Sequence, residues 1–373
     1  MKRKLLALVL TAVLASMTVA GCSSKSSDTG TKTTDEVTSS NTAANGETKP
    51  SGEKLVVGTM PLTVGVPVQY AYDNGFYEEE GLDVEIVIFS TGSPINEAFA
   101  AGQLDVAASG LASVYSLANG TASWIGEINT TGGMGIYVRP DSEIAKTKGQ
   151  VTDNPNIYGS ADLVKGLKIL GPLGTTAQFN AICYADKFGL SSTDIELVHM
   201  EYGAAYSAFE TGQGDAIALN PPFSFQAEDA GYISAGTFED TTGVALLDGV
   251  FADNKVLSER REDIVRFIRA TYKACDALQD DEVRYEYSMK WFNQNGKEYD
   301  EATLRSEMEA RKYMTAESMT AGDYVYGEGM SDIAEFFTGD GKILEENLPN
   351  VVKSYDVSVL KDALNIDVTV DKE

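Results

Sequence analysis

Residues 97–109 read EAFAAGQLDVAAS, and residues 207–219 read SAFETGQGDAIAL. At a constant offset, Ala98, Phe99, Gly102, Gln103, Asp105 and Ala108 match Ala208, Phe209, Gly212, Gln213, Asp215 and Ala218. Each phrase describes a helix stopped by glycine and followed by an apolar strand, since glycine closes helices in a left-handed conformation. The likeness extends upstream, where GFYEEEGLDVEIV (75–87) parallels DKFGLSSTDIELV (186–198) after small gaps. A chain that carries such a unit twice is constrained to two similarly built lobes.

The surrounding pattern fits that constraint. From Leu55 onward, short apolar runs at 55–57, 83–89, 106–108 and 123–128 alternate with helical spacing at 66–74, 94–101 and 113–118. After a polar stretch at 139–161 the alternation restarts: strands at 167–170, 195–200 and 215–219, helices at 176–188 and 204–211. Alternation of this kind predicts an α/β fold, each lobe a mostly parallel sheet flanked by helices. The last third, with ERREDIVRFIRATYKACDAL (259–278) and DEVRYEYSMKWF (281–292), is helical and is expected to pack on an existing lobe. The expected division is therefore 54–139 with about 250–373 in one lobe and 140–249 in the other. The runs at 136–139 and 246–251 are expected to connect them.

The ends and the charge limit the setting. Met1-Lys2-Arg3-Lys4 precedes an apolar run, Leu5 to Ala20, that is short for a membrane span. The run ends in Val19-Ala20-Gly21-Cys22, which resembles the lipobox of bacterial lipoproteins. That resemblance implies a signal peptide at 1–21 and lipidation of Cys22, with multiple acyl chains as a stable anchor. Residues 22–53 hold almost no large apolar side chains and are expected to form a disordered tether. A net charge of −27 from 29 basic and 56 acidic residues argues against a nucleic-acid partner. Cys183 and Cys275 fall on apolar helical faces and are expected as two buried free thiols, with a disulfide as the alternative.

Catalytic patterns are missing. The single histidine, His199, lies in the buried-looking strand IELVHME and reads as structural. There is no nucleophile elbow, metal-spaced Cys/His set or P-loop, so no catalytic residue, metal or cofactor is expected. What the chain does offer is a set of small polar loops after its strands, the edge at which open α/β sheets bind ligands. In the first half these supply Met60, Thr63, Thr91, Gly92, Ser93, Ser109 and Gly110. In the second they supply Thr175, Thr176, Tyr202 and Asn220. Ser93 is placed to N-cap the helix that Pro94 opens. Hydroxyls and helix N-termini suit acceptor or anionic atoms. Glu127, in the apolar strand WIGEIN, either recognises a ligand N–H or ammonium, or is satisfied by Arg139 or by backbone.

Taken together, LVVGTMPLTVGVPVQYAYDNGFYEEEGLDVEIVIFSTGSPINEAFAAGQLDVAASG, ADLVKGLKILGPLGTTAQF, FETGQGDAIALNPPF and IAEFFTGDGKILEENLPN resemble the nitrate/sulfonate/taurine-type substrate-binding lipoproteins of ABC importers. That group includes binders of thiamine-precursor pyrimidines. The resemblance spans most of 54–365. It implies a two-lobed type II periplasmic-binding-protein fold, a small-molecule ligand held between the lobes, a permease and ATPase as partners, and a monomer on the extracytoplasmic face of the membrane. The proposed loops contain no Lys or Arg, unlike a site for an inorganic anion. Met60, Tyr202, Phe223 and Trp124 suggest an organic ligand: a sulfonate or other small anion, an aromatic compound or a pyrimidine. The alternatives are an enzyme of thiamine-precursor biosynthesis on the same fold, and a ligand-sensing lipoprotein.

Overall fold

In chain order the strands are β1 (Leu55–Thr59), β2 (Val84–Ile88), β3 (Val106–Ser109), β4 (Ala122–Thr130), β5 (Gly135–Val138), β6 (Lys168–Gly171), β7 (Glu196–His199), β8 (Ala216–Leu219), β9 (Ile233–Thr237) and β10 (Leu247–Asp253). They assemble into two sheets with the orders β2-β1-β3-β10-β4 and β7-β6-β8-β5-β9. In the first, β1 runs parallel to both neighbours and β10 lies antiparallel between β3 and β4. In the second, β6 runs parallel to both neighbours and β5 lies antiparallel between β8 and β9. The computed structural model describes residues 49–371 other than 152 and 245. The expected signal peptide, Cys22 and nearly all of the expected tether lie outside the described residues. The described residues belong to one compact unit, and among them no helix is long and apolar enough to cross a membrane.

The repeated phrase folds into the same joint twice. Helix Gly92–Ala100 ends before Gly102 at φ +69°, and helix Tyr202–Glu210 before Gly212 at φ +91°. The amides of Gly102 and Gln103 donate to Phe99 O and Ala98 O at 2.9 and 3.0 Å. Those of Gly212 and Gln213 donate to Phe209 O and Ala208 O, both at 3.0 Å. Asp105 Oδ2 then accepts from Val56 N at 2.8 Å, and Asp215 Oδ2 from Lys168 N at 2.9 Å. Each aspartate thereby ties the incoming strand to its parallel neighbour, β3 to β1 and β8 to β6. Phe99 and Phe209 are buried beneath their respective joints.

Two strands correct the expected lobe boundary. The segments expected as connectors, 136–139 and 246–251, are paired inside the sheets as β5 and β10. The run at 136–139 stands in the second sheet, although it was expected in the first lobe. Both strands are hydrogen-bonded on their two sides and cannot swing as free linkers. The chain crosses after Thr130 and again between Thr242 and Leu247. Phe238 N donates to Met134 O at 2.9 Å and Thr131 Oγ1 to Leu246 O at 2.7 Å, holding the two crossings together.

The C-terminal helices build mainly on the first lobe, with one face reaching the second. Helix Arg261–Ala277 buries an apolar stripe that includes Ile264, Phe267, Ile268 and Cys275 against helix Gly65–Asp73 and its surroundings. Glu80 pairs with Arg269 at 2.8 Å, and Glu79 pairs with Lys273, tying the turn before β2 to this helix. Helix Met330–Gly339 presents Phe336 to Phe179 of the second lobe, with ring centroids 4.6 Å apart in an edge-on arrangement. Cys183 and Cys275 are buried free thiols.

Candidate functional site

A cavity of about 430 Å³, counted out to where it meets solvent, lies between the carboxyl ends of the strands of the two sheets. Nine of the expected residues line it: Met60, Thr91, Gly92, Ser109 and Gly110 from the first half, and Thr175, Thr176, Tyr202 and Asn220 from the second. The matched strands β3 and β8 deliver Ser109 and Asn220 at their far ends, from opposite sides.

The polar atoms on these walls differ in how far they are committed. Thr175 caps helix Thr176–Asp186, accepting from Ala177 N at 3.2 Å while donating to Pro172 O at 2.8 Å. Thr91 occupies the N-cap position of helix Gly92–Ala100, yet its side chain makes no capping bond. Ser109 Oγ is fully buried and has no hydrogen-bond partner among the described residues, an arrangement that costs free energy unless something else completes it. Tyr202 OH stands 3.4 Å from Thr176 Oγ1, and burial raises the pKa of the phenol. Gly92 and Gly110 leave room that a side chain would fill. A Cβ on Gly92 would fall 2.9 Å from Ser109 Oγ, and one on Gly110 would fall 2.5 Å from Asp248 Oδ1.

Three expected residues stand elsewhere. Thr63 donates its hydroxyl to Glu307, whose second oxygen accepts from Tyr299, so Thr63 is tied into the core of the first lobe. Ser93 does not N-cap a helix, because helix Gly92–Ala100 has already begun. Its hydroxyl lies 3.5 Å from Leu173 O of the opposite lobe. Glu127 is satisfied internally rather than by Arg139: it accepts from Trp124 Nε1 at 3.2 Å, Gly327 N at 3.1 Å and Tyr324 OH at 2.5 Å. Burial pushes its carboxyl up to about 7, against the opposing pull of those donors. Arg139 instead donates to Phe209 O, Gln213 O and Gly214 O at the second repeat. Trp124 is a core residue, and Phe223 is not on the cavity wall.

Two charged residues on the wall were not among those expected from the sequence. Asp248 is the second residue of β10, where the register sets Gly249 opposite Ser109. Its Oδ2 accepts from Asn129 Nδ2 at 2.9 Å. Burial raises the pKa of this carboxyl, opposed by the nearby Arg311 charge and the Asn129 bond. Arg311 follows helix Glu301–Ala310 and is 1% exposed. Its Nε donates to Gly132 O at 2.9 Å and its Nη2 to Asn220 Oδ1. The cleft therefore does hold a cation, supplied from the C-terminal third rather than from a strand-end loop. The signal that marks Asp248 is its place as the lone acid in the apolar run LLDGVFA. Arg311, in the polar run EARKYM, stands out from nothing around it.

Catalytic candidates do not converge here. His199 is exposed on the edge strand β7, contrary to the buried setting expected, and its Nδ1 accepts from Leu173 N at 3.1 Å. The Cys183 thiol, away from the cavity wall, is pushed up to about 12 by burial. Among the described residues no cluster of His, Cys, Asp and Glu could hold a metal ion.

Two lobes with exchanged strands and a cavity between their strand ends define the solute-binding-protein class of fold. Residues 48–291 match the NMT1-like family, and the chain belongs to it. A Brachyspira hyodysenteriae protein provisionally named as an ABC transporter periplasmic binding protein is 34% identical over 313 residues, covering 83% of this chain and 90% of its own. The alkanesulfonate-binding protein SsuA of Xanthomonas axonopodis pv. citri, solved with MOPS, superposes with a TM-score of 0.62 at 18% identity, covering 81% of this chain and 98% of its own. The nitrate-binding protein NrtA of Synechocystis PCC 6803 gives 0.63 at 15% identity, with 85% and 90% covered. At those identities the two structures speak for the fold alone.

Proposed function

We propose that this protein captures a small organic solute between its lobes and presents it to an ABC importer on the extracytoplasmic face of the membrane. The observation that carries the reading is the cleft itself. Polar groups from two matched lobes converge on one cavity, and the fully buried hydroxyl of Ser109 has no hydrogen-bond partner among the described residues. The Brachyspira relative's name supports the transport setting. Binding rather than catalysis is favoured by the walls, which hold hydroxyls, an amide, one carboxylate and one guanidinium, with the only histidine and both described thiols elsewhere. The basic n-region and the lipobox-like sequence support export as a lipoprotein held through Cys22, acting as a monomer. Two-lobed binders close about their crossings, and a ligand that contacts both walls favours the closed form by its differential affinity.

A thermal-shift screen over sulfonates, aromatic carboxylates, pyrimidines and amines tests the reading. A ligand at about 100 times its Kd stabilises the folded state by about 2.7 kcal/mol, a readily measured rise in midpoint. Absence of any stabilising compound across those classes, together with scattering profiles that no compound alters, would remove the solute-binding function. Loss of membrane association in Cys22→Ser tests the anchor separately.

A further inference from the structure

The lobes also meet away from the cavity, and there the contact is apolar. Phe179, Cys183 and Phe238 stand on helices Thr176–Asp186 and Phe238–Thr242 of the second lobe, yet all three pack into the hydrophobic core of the first. Their partners come from helix Met330–Gly339. Between ring centroids, Phe179 lies 4.6 Å from Phe336, 5.9 Å from Phe337 and 5.7 Å from Phe238. Phe337 lies 5.3 Å from Tyr115, on helix Ser113–Ala118 of the first lobe. An unbroken chain of rings thus runs from one lobe to the other. Ser192 of the second lobe extends this seam by donating its hydroxyl to Asp340 Oδ1 at 2.6 Å.

Beside the cavity the lobes touch differently. Ser93 Oγ lies 3.5 Å from Leu173 O, a long polar contact that water replaces at little cost. The seam, by contrast, begins at the first crossing, because Phe238 N donates to Met134 O. A point near the axis of a rotation moves least, and parting the rings would expose apolar surface to water. Helix Thr176–Asp186 joins the seam to the cavity. Thr176, Phe179 and Cys183 share one face of it by their spacing, and Thr175 and Thr176 line the cavity at its start.

Resting on the two-lobed capture proposed above, we infer that the contact of Phe336 with Phe179 is a fixed pivot. It stays closed when the lobes part at Ser93 and Leu173, and it holds the Thr175 and Thr176 wall in register with the first lobe. Phe336 is a positioning residue, acting on that wall through helix Thr176–Asp186. A strap from the last third of the chain, and not the two crossings alone, then sets the path along which the lobes move.

The test is alkylation of the full chain with N-ethylmaleimide, resolved by mass spectrometry of the peptides that carry Cys183 and Cys275. Cys275 is buried in the core of its own lobe, on helix Arg261–Ala277, whereas Cys183 is packed into the core of the other lobe. Each rate is scaled to its value in urea. With a fixed seam both thiols wait for unfolding, so the wild-type rates are expected to agree within about tenfold. Cys183 labelling faster than that shows the seam opening with the lobes and overturns the pivot. Phe336→Ala is expected to raise the ratio of Cys183 to Cys275 labelling about tenfold, the scale of one lost aromatic contact. If Phe336 only stabilises the fold, both rates rise together and the ratio stays as in the wild type, which overturns the positioning role. Should Phe336→Ala fail to fold, the wild-type rates still decide the pivot. Asp340→Ala, which loses the Ser192 bond, is then expected to shift the ratio the same way by about threefold. Neither rate needs a solute. A labile Cys183 therefore removes the pivot and leaves the solute-binding reading standing, whereas a failed solute screen removes that reading and leaves the labelling result.

Discussion

In the first lobe the strand that starts after Asp105 ends at Ser109 and Gly110, beside a buried carboxylate. In the second, the strand that starts after Asp215 ends at Asn220, beside a buried guanidinium. The joints are matched bond for bond, yet the groups they deliver are complementary rather than alike. A duplicated scaffold therefore sets where the walls stand, and residues outside the repeats set what the walls are. Both charged groups come from segments after the second repeat, β10 and the turn beyond helix Glu301–Ala310.

The sharpest way to break this comparison is to remove one charge from each wall and measure folding by urea denaturation. Arg311→Met strips the partners of Gly132 O and Asn220 Oδ1 inside the protein and is expected to cost about 3 kcal/mol. Asp248→Asn keeps the shape and removes a carboxylate whose burial is unfavourable, so its stability is expected to be equal or higher. Equal losses in the two variants would mean that the charges play the same structural part.

Next in size is a charge within the first lobe but away from the cleft. Glu127 has its carboxyl raised from 4.5 to about 7 in the folded chain. A raised acid contributes stability that is full below the unfolded pKa and is lost as pH rises through the folded value. Stability attributable to Glu127 is thus expected to fall by about 3 kcal/mol between about pH 4.5 and 7 and then level off. Glu127→Gln should flatten that part of the profile while leaving ligand affinity unchanged. A change in affinity would restore Glu127 to the site.

A smaller effect tests the likeness itself. Gly102 and Gly212 both hold left-handed backbone with open space around the missing Cβ. Alanine at either is expected to cost about 1 kcal/mol, the same in both lobes, through backbone strain alone. Unequal costs would show that the joints are alike only in outline. The smallest effect is expected from Ser93→Ala, which removes one 3.5 Å contact between the lobes and should change ligand affinity less than about twofold.

Much of this was legible in the sequence because local rules govern it. Alternating periodicity marked the strands, the Gly and Asp positions marked the joints, and strand-end loops led to nine residues of the cavity wall. The failures have physical causes. Strands 135–138 and 247–253 look like connectors because antiparallel insertion between distant partners leaves no mark in the inserted strand. Thr63 and Glu127 look available because their partners, Glu307, Tyr324 and Gly327, arrive from the far end of the chain. Arg311 was invisible for the same reason. Its burial is a property of what folds around it rather than of its neighbours in sequence.

The exchange of β5 and β10 also imposes an order on the growing chain. The second sheet is contiguous, β5 to β9, and all its strands have emerged once residue 237 has been made. In the first sheet β10 stands between β3 and β4, so the slot between those early strands has no occupant until residue 253 is available. The lobe that is begun first is completed last, and until then two strand edges remain open to pairing with other chains.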